Sequence, residues 1–308
     1  MKTKLFYAGA LVLGLVFLLV VVAYVSAPTP VPPTPTAIPP TSTPSRDFVV
    51  IAGGDTRSGC NTVATQTASL LDTFPSDTLI LHNGDMTNDG TLNEFNDCYA
   101  LTWGRHKSQH RPVPGNHEYN TPDASGYWDY FGALAGTRDQ GYYSFNLGAW
   151  HIVALNSQIA HNQGSAQEQW LRADLATNTT PCILAYWHVP RFSSDSTHGS
   201  DASFIPLWQA LYEAHADVVF NGHGHDYERF AKQNPNGEPD ANGIREFVIG
   251  TGGAPLYGFR TPLANSEVRE STYGIVKFTL RAGSYDWQFI PVAGQTFTDS
   301  GTTPCNPK

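Results

Sequence analysis

Five short apolar runs in this chain each end in a side chain able to hold a metal ion. That repeated placement restricts the fold more than any other feature. Residues 48–52 run into Gly53-Gly54-Asp55, and residues 78–81 lead to Gly84-Asp85. Residues 111–114 lead to Gly115-Asn116-His117-Glu118, and residues 182–187 end at His188. Residues 218–220 end in Asn221-Gly222-His223-Gly224-His225. Such runs predict strands. Residues 167–175 and 204–214 carry helical spacing, as does a stretch after Asp55 that includes Val63, Leu70 and Leu71. Residues 142–145 and 150–155 predict a hairpin turning at Asn146-Leu147-Gly148, and residues 246–249, 275–280 and 287–291 predict further strands. The pattern is α/β, a class in which sites gather beyond the carboxyl ends of strands, so five strand ends can build one site.

Asp55 and Asp85 carry the strongest local argument. A carboxylate at the end of a buried strand is costly unless it is paired or holds a metal. For one Gly-Asp alone, a helix cap explains it equally well; two in this setting favour metal. His223 and His225 can serve two adjacent ions if the segment turns at Gly224. Asn116 offers a neutral carbonyl oxygen, and His117 beside it is free to face a substrate. His188 precedes Val189-Pro190, which projects it into a loop; alone it reads as a core histidine. His82, His106, His110, His151, His161 and His215 fit no such pattern and read as surface or structural residues. Mixed Asp, Asn and His ligands suit Zn, Mn or Fe. Two such ions about 3.5–4 Å apart activate a hydroxide and neutralise phosphoryl oxygens.

The N-terminal residues carry an expectation about the compartment. Lys2 and Lys4 precede an uncharged run over residues 5–27, which as a helix spans roughly 35 Å, enough to cross a bilayer. Lysines on that side place the remainder outside the cytoplasm. Residues 1–27 are therefore expected to be a transmembrane anchor. A cleaved signal peptide ending at Val25-Ser26-Ala27 is the alternative, and both export the domain, membrane-anchored or secreted. Residues 28–46 form a Pro/Thr-rich linker that cannot bury a core, and residues 47–308 form the folded domain. Four cysteines without a CxxC predict two disulfides in an exported protein, with three pairings open. The net charge of −9 excludes broad nucleic-acid binding.

The order of these motifs resembles the calcineurin-like metallophosphoesterase superfamily. The stretch Gly222-His223-Gly224-His225-Asp226-Tyr227-Glu228-Arg229 is similar to purple acid phosphatases and their bacterial relatives. The similarity runs from about residue 48 to residue 298. It implies a four-layer αββα sandwich of two mixed sheets flanked by helices. It also implies that Asp85 bridges two ions, Asp55 and His225 hold the first, and Asn116, His188 and His223 hold the second. His117 would then touch the phosphate or leaving group, and His198 would protonate the leaving oxygen. The resemblance further implies a Cys182–Cys305 bridge, leaving Cys60–Cys98.

Two positions depart from the pattern. The tyrosine expected three residues after the bridging Asp is Asn88, and the histidine that other members carry two residues after the first Asp is Arg57. The first ion therefore lacks a usual ligand; the Asn88 carbonyl, or water, takes that place. Arg57 meets the substrate phosphate through its fork of donors, or makes an ordinary salt bridge. The expected function is an extracytoplasmic phosphomonoesterase with two divalent or trivalent ions (Fe, Zn or Mn), acting on a small-molecule phosphate ester by a metal-activated hydroxide. A phosphodiesterase or nucleotidase is the alternative with the same site, and a cell-surface binding protein with a degenerate site is the alternative of another class. Without a tyrosinate ligand, the purified protein is expected to be colourless or weakly coloured. An intense visible band from the as-isolated protein would show that another tyrosine ligates.

Overall fold

Apolar runs too short for helices must pair side by side to satisfy their backbone groups, and here they do so in two sheets. The computed structural model describes residues 46–308 apart from 58, 59 and 61. The expected anchor, and all of the expected linker except Arg46, lie outside the described residues. Among the described residues no helix is long and apolar enough to cross a membrane.

Thirteen strands occur among the described residues: β1 (Phe48–Gly53), β2 (Leu79–His82), β3 (His110–Pro112), β4 (Tyr143–Leu147), β5 (Trp150–Ala154), β6 (Cys182–Tyr186), β7 (Val218–Asn221), β8 (Tyr227–Phe230), β9 (Arg245–Ile249), β10 (Ser266–Glu270), β11 (Gly274–Leu280), β12 (Ser284–Pro291) and β13 (Ser300–Pro304). The α-helices are α1 (Thr62–Leu71), α2 (Leu92–Asp97), α3 (Ser125–Phe131), α4 (Ala166–Thr177) and α5 (Ile205–Glu213). One sheet has the order β13-β12-β11-β1-β2-β3 and the other β10-β8-β9-β7-β6-β5-β4. Both are mixed. β1, β2 and β3 run parallel, as do β5, β6, β7 and β9, while the remaining pairings are antiparallel.

Three apolar layers follow from this stacking. The inner faces of both sheets meet through Val50, Ala52, Leu81, Ile152, Leu184, Phe220 and Phe278, all buried. Leu171 and Leu175 of α4 and Leu207, Trp208 and Leu211 of α5 cover the outer face of the second sheet, against Val153, Ile183 and Val219. Ala68 and Leu71 of α1, Phe95 of α2 and Tyr127 and Phe131 of α3 cover the outer face of the first, against Ile51 and Ile80. β5, β6 and β7 are buried along their whole length, which is why they read as continuous apolar runs rather than alternating ones.

Three strands were not visible in the sequence. β8 carries Glu228 and Arg229, both buried and both partnered: Glu228 accepts from Ser194 N at 2.7 Å, and Arg229 Nε donates to Asp299 at 2.7 Å. β10 and β13 are edge strands rich in polar residues, which carry little periodic signal.

The cysteines pair as Cys60–Cys98 and Cys182–Cys305. The second joins the start of β6 to the residue just after β13, so it ties one sheet to the other across 123 residues of chain. Closing so long a loop restricts the unfolded chain strongly. Replacing both Cys182 and Cys305 by Ala is expected to lower the unfolding free energy by about 2–4 kcal/mol, read from denaturant titration. An unchanged midpoint would show that the bridge contributes nothing.

Candidate metal centre

The carboxyl ends of the parallel strands from both sheets meet at one seam. Gly54 N donates to Ile249 O at 3.0 Å, and Asn83 Nδ2 donates to Asn221 O at 3.1 Å. This brings the loops after β1, β2, β3, β6 and β7 together. Two glycines make the approach possible. A Cβ on Gly115 would lie 2.2 Å from Asp85 Oδ1, and one on Gly222 would lie 2.5 Å from Asp55 Oδ2. Asp55 (φ 58), Asp85 (φ 54) and His223 (φ 65) all adopt left-handed backbone. The turn that lets one segment face two positions is centred on His223, where Gly224 N donates to Gly222 O at 2.7 Å, rather than on Gly224.

The donor atoms then converge. His188 is fully buried, and its Nδ1–H donates to Asn83 O at 2.8 Å, which turns Nε2 toward the site. Around that Nε2 lie Asn116 Oδ1 at 3.1 Å, His223 Nδ1 at 3.2 Å and Asp85 Oδ1 at 3.3 Å. Acceptors face acceptors, an arrangement that needs a cation among them. Burial opposes a charged His188, yet Asp85 and Asp55 push its pKa up to about 9, so a proton on Nε2 competes with a metal ion for the place between these acceptors. Burial, with His188 and His198 nearby, pushes His223 down to about 2. A second cluster adjoins the first. His225 Nδ1–H donates to Pro255 O at 2.7 Å, and its Nε2 lies 3.4 Å from Asp55 Oδ1, a buried oxygen with no hydrogen-bond partner. This mixture of carboxylate, amide and imidazole donors fits Zn, Mn or Fe.

The other expected residues fall around this core. His117 sits at the rim, with Nδ1 on the backbone carbonyl of Asn88 and Nε2 3.8 Å from Asp85 Oδ2. Arg57 donates to His117 Nε2, to His225 Nε2 at 3.2 Å and to Tyr257 Oη at 3.4 Å. It forms no ion pair with a carboxylate among the described residues, which removes the salt-bridge alternative. Asn88 stands apart: it is exposed, and it joins the site through its backbone carbonyl, which also accepts from Asn120 Nδ2 at 3.0 Å. His198 tilts over His223 with ring centroids 3.8 Å apart, and partial burial lowers its pKa.

Two residues that organise the site have no role assigned from sequence. Glu118, fully buried, accepts four backbone N–H groups: Asp85 at 2.9 Å and Gly115 at 2.7 Å on Oε2, Met86 at 2.8 Å and Thr87 at 3.3 Å on Oε1. It thereby fixes the loops that carry Asp85 and Asn116. Burial and the charge of Asp85 push its carboxyl up to about 7, while the N–H groups of Gly115 and Met86 pull it down. Its place in Gly115-Asn116-His117-Glu118 was the available signal. Asp195 holds the His198 loop by accepting from Thr197 N and His198 N at 2.7 Å and Gly199 N at 2.8 Å. The polar run around it reads as a mobile loop in sequence because its anchor is a single buried carboxylate.

Comparisons with known proteins identify the family and the fold. The family model for calcineurin-like phosphoesterase matches residues 42–227. Purple acid phosphatase 15 of Arabidopsis thaliana is 35% identical over 153 residues, which is 46% of this chain and 29% of that protein. Purple acid phosphatase 21 of the same plant is 31% identical over 185 residues, 57% of this chain and 42% of that protein. The chain therefore spans well under half the length of these relatives. The structure of purple acid phosphatase PPD1 from yellow lupin (Lupinus luteus) seeds superposes with a TM-score of 0.73 over 85% of this chain and 54% of that one. At 18% identity it shows a shared fold.

Glu118→Gln tests how far this scaffold governs the centre. The amide nitrogen would face two of the four N–H donors, leaving buried donors unsatisfied at about 1–3 kcal/mol each. Metal affinity is expected to fall roughly 10–100-fold, read by isothermal titration with Zn²⁺, alongside a lower denaturation midpoint. Unchanged values of both would remove Glu118 from the site.

Proposed function

The chain belongs to the calcineurin-like phosphoesterase family, and from that premise we propose that it hydrolyses phosphate monoesters at a two-metal site outside the cytoplasm. The observation that carries this reading is the set of acceptor atoms converging around the buried His188 Nε2, beside a buried carboxylate oxygen of Asp55 without a partner. Asp85, Asn116, His188 and His223 would hold one ion, and Asp55, His225 and Asp85 the other. Ions there supply positive charge to phosphoryl oxygens and lower the pKa of water.

The chain's own residues supply the rest. Arg57 and His117, at the rim, would meet the non-bridging oxygens. His198, in the loop held by Asp195, would give a proton to the departing alkoxide. Beside Arg57 lies a cleft of about 600 Å³, also lined by Thr62, Val63, Asn88, Pro255 and Tyr273, whose mixed lining would take the alcohol portion of the ester. The six remaining expected donors, Asp55, Asp85, Asn116, His188, His223 and His225, support an enzyme over a binding protein with a degenerate site. Two disulfides support a location outside the cytoplasm, the compartment also expected from the apolar N-terminal run.

Asp85→Asn is expected to reduce hydrolysis of p-nitrophenyl phosphate at least about 10³-fold, roughly 4 kcal/mol of lost transition-state stabilisation. Near-wild-type turnover by this variant would sink the reading, and faster cleavage of bis-p-nitrophenyl phosphate than of the monoester would make the protein a diesterase. His198→Ala separates its own role. General acid catalysis contributes about 10²–10⁴-fold, so alkyl phosphate hydrolysis is expected to fall by that factor while p-nitrophenyl phosphate, with a good leaving group, is far less affected. Equal effects on both substrates would remove His198 from the catalytic list.

A further inference from the structure

The two halves of the centre are unequal, and Arg57 makes them so. His225 Nδ1 is committed to Pro255 O, so Nε2 holds the ring's one free lone pair. That lone pair faces Asp55 Oδ1 at 3.4 Å and, on another side, Arg57 Nη2 at 3.2 Å. His117 is arranged alike: Nδ1 is committed to the Asn88 carbonyl, and Nε2 receives Arg57 Nη1. The guanidinium thus bridges two imidazole lone pairs, steadied by Tyr257 Oη at 3.4 Å. A guanidinium is a cation with no acceptor of its own.

A lone pair makes one strong bond at a time. Either Arg57 or a metal ion takes His225 Nε2, and an ion arriving there also meets a fixed positive charge. The contacts of His188 Nε2 are of another kind: Asp85, Asn116 and His223 offer acceptors, and no guanidinium faces it among the described residues. Resting on the phosphoesterase reading above, we propose that Arg57 is a built-in cation competing for the Asp55–His225 position. The chain then holds one ion tightly at Asp85, Asn116, His188 and His223, and a second one weakly. The guanidinium supplies, at the phosphate, charge that a firmly held second ion would otherwise provide.

Metal content tests this apart from activity. The full chain in detergent is stripped with chelator, reloaded with excess Mn²⁺ and desalted, and its manganese content and electron paramagnetic resonance spectrum are read. Wild type is expected to keep about one equivalent and to give the six-line spectrum of an isolated ion. Arg57→His exchanges a donor fork for a ring with a lone pair. It is expected to keep about two equivalents, to give a spin-coupled spectrum, and to bind the second ion roughly 10–100-fold more tightly. Arg57→Gln removes the charge alone; it is expected to fall between the two and carries the test if Arg57→His does not fold. Wild type retaining two equivalents with a coupled spectrum would overturn this inference and leave the hydrolytic reading standing. Failure of every form to retain manganese would overturn both.

Discussion

A seam of hydrogen bonds between the carboxyl edges of two sheets is the constraint on which the rest of this structure depends. Asn83 sits in the middle of it. Its side chain donates to Asn221 O of the opposite sheet, and its carbonyl accepts from His188 Nδ1. The second bond has two effects at once. It joins the sheets, and it fixes the tautomer of His188 so that Nε2 turns a lone pair toward Asp85 and Asn116. Gly252 N on Gly54 O at 2.9 Å and Ala254 N on Asp55 O at 2.7 Å extend the seam on the side of Asp55. The backbone groups that close the fold are therefore the same ones that aim the ligands.

That coupling stores unfavourable energy at the centre. Asp55, Asp85 and His223 stand in left-handed backbone, each at a cost of order 1–3 kcal/mol. Asp55 and Asp85 are buried carboxylates, and Glu118 adds a third beside Asp85. The scaffold offsets this locally, with four N–H groups on Glu118 and the His223 N–H on Asp55 Oδ2 at 2.9 Å. The remainder is left for a cation, which is what a metal centre requires: donors held in place before the ion arrives, so that binding is not spent on ordering them.

Much of this was legible in the sequence because the parallel strands are hidden on both faces. β1, β6 and β7 read as apolar runs, and their polar terminators mark where the site begins. The hairpin of β4 and β5 and helices α4 and α5 were legible through periodicity and turn residues. What escaped was held by single polar contacts. β8 lies beneath Glu228 and Arg229, whose burial depends on Ser194 and Asp299, residues distant in the chain. The roles of Glu118 and Asp195 depend on backbone N–H groups of neighbouring loops, and no side-chain pattern announces those. Arg57 was legible as a departure, but its partners were not. A phosphate or a carboxylate is the ordinary expectation for a guanidinium, whereas here it faces two imidazoles.

Arg57 also shows how a fixed scaffold admits variation in one half of its centre. The ligands around His188 stand in the loops after β2, β3, β6 and β7, and their positions are set by the four N–H groups on Glu118 and by the seam. Arg57 belongs to the loop after β1, where only its backbone N–H on Asp85 O at 3.0 Å ties it to the second strand's end. Cys60, three residues on, is covalently held to Cys98 at the end of α2. A side chain on such a loop can be exchanged without moving a strand. On the inference that Arg57 competes for His225 Nε2, the Asp55–His225 half is the one in which positive charge would come either from a metal ion or from the protein itself.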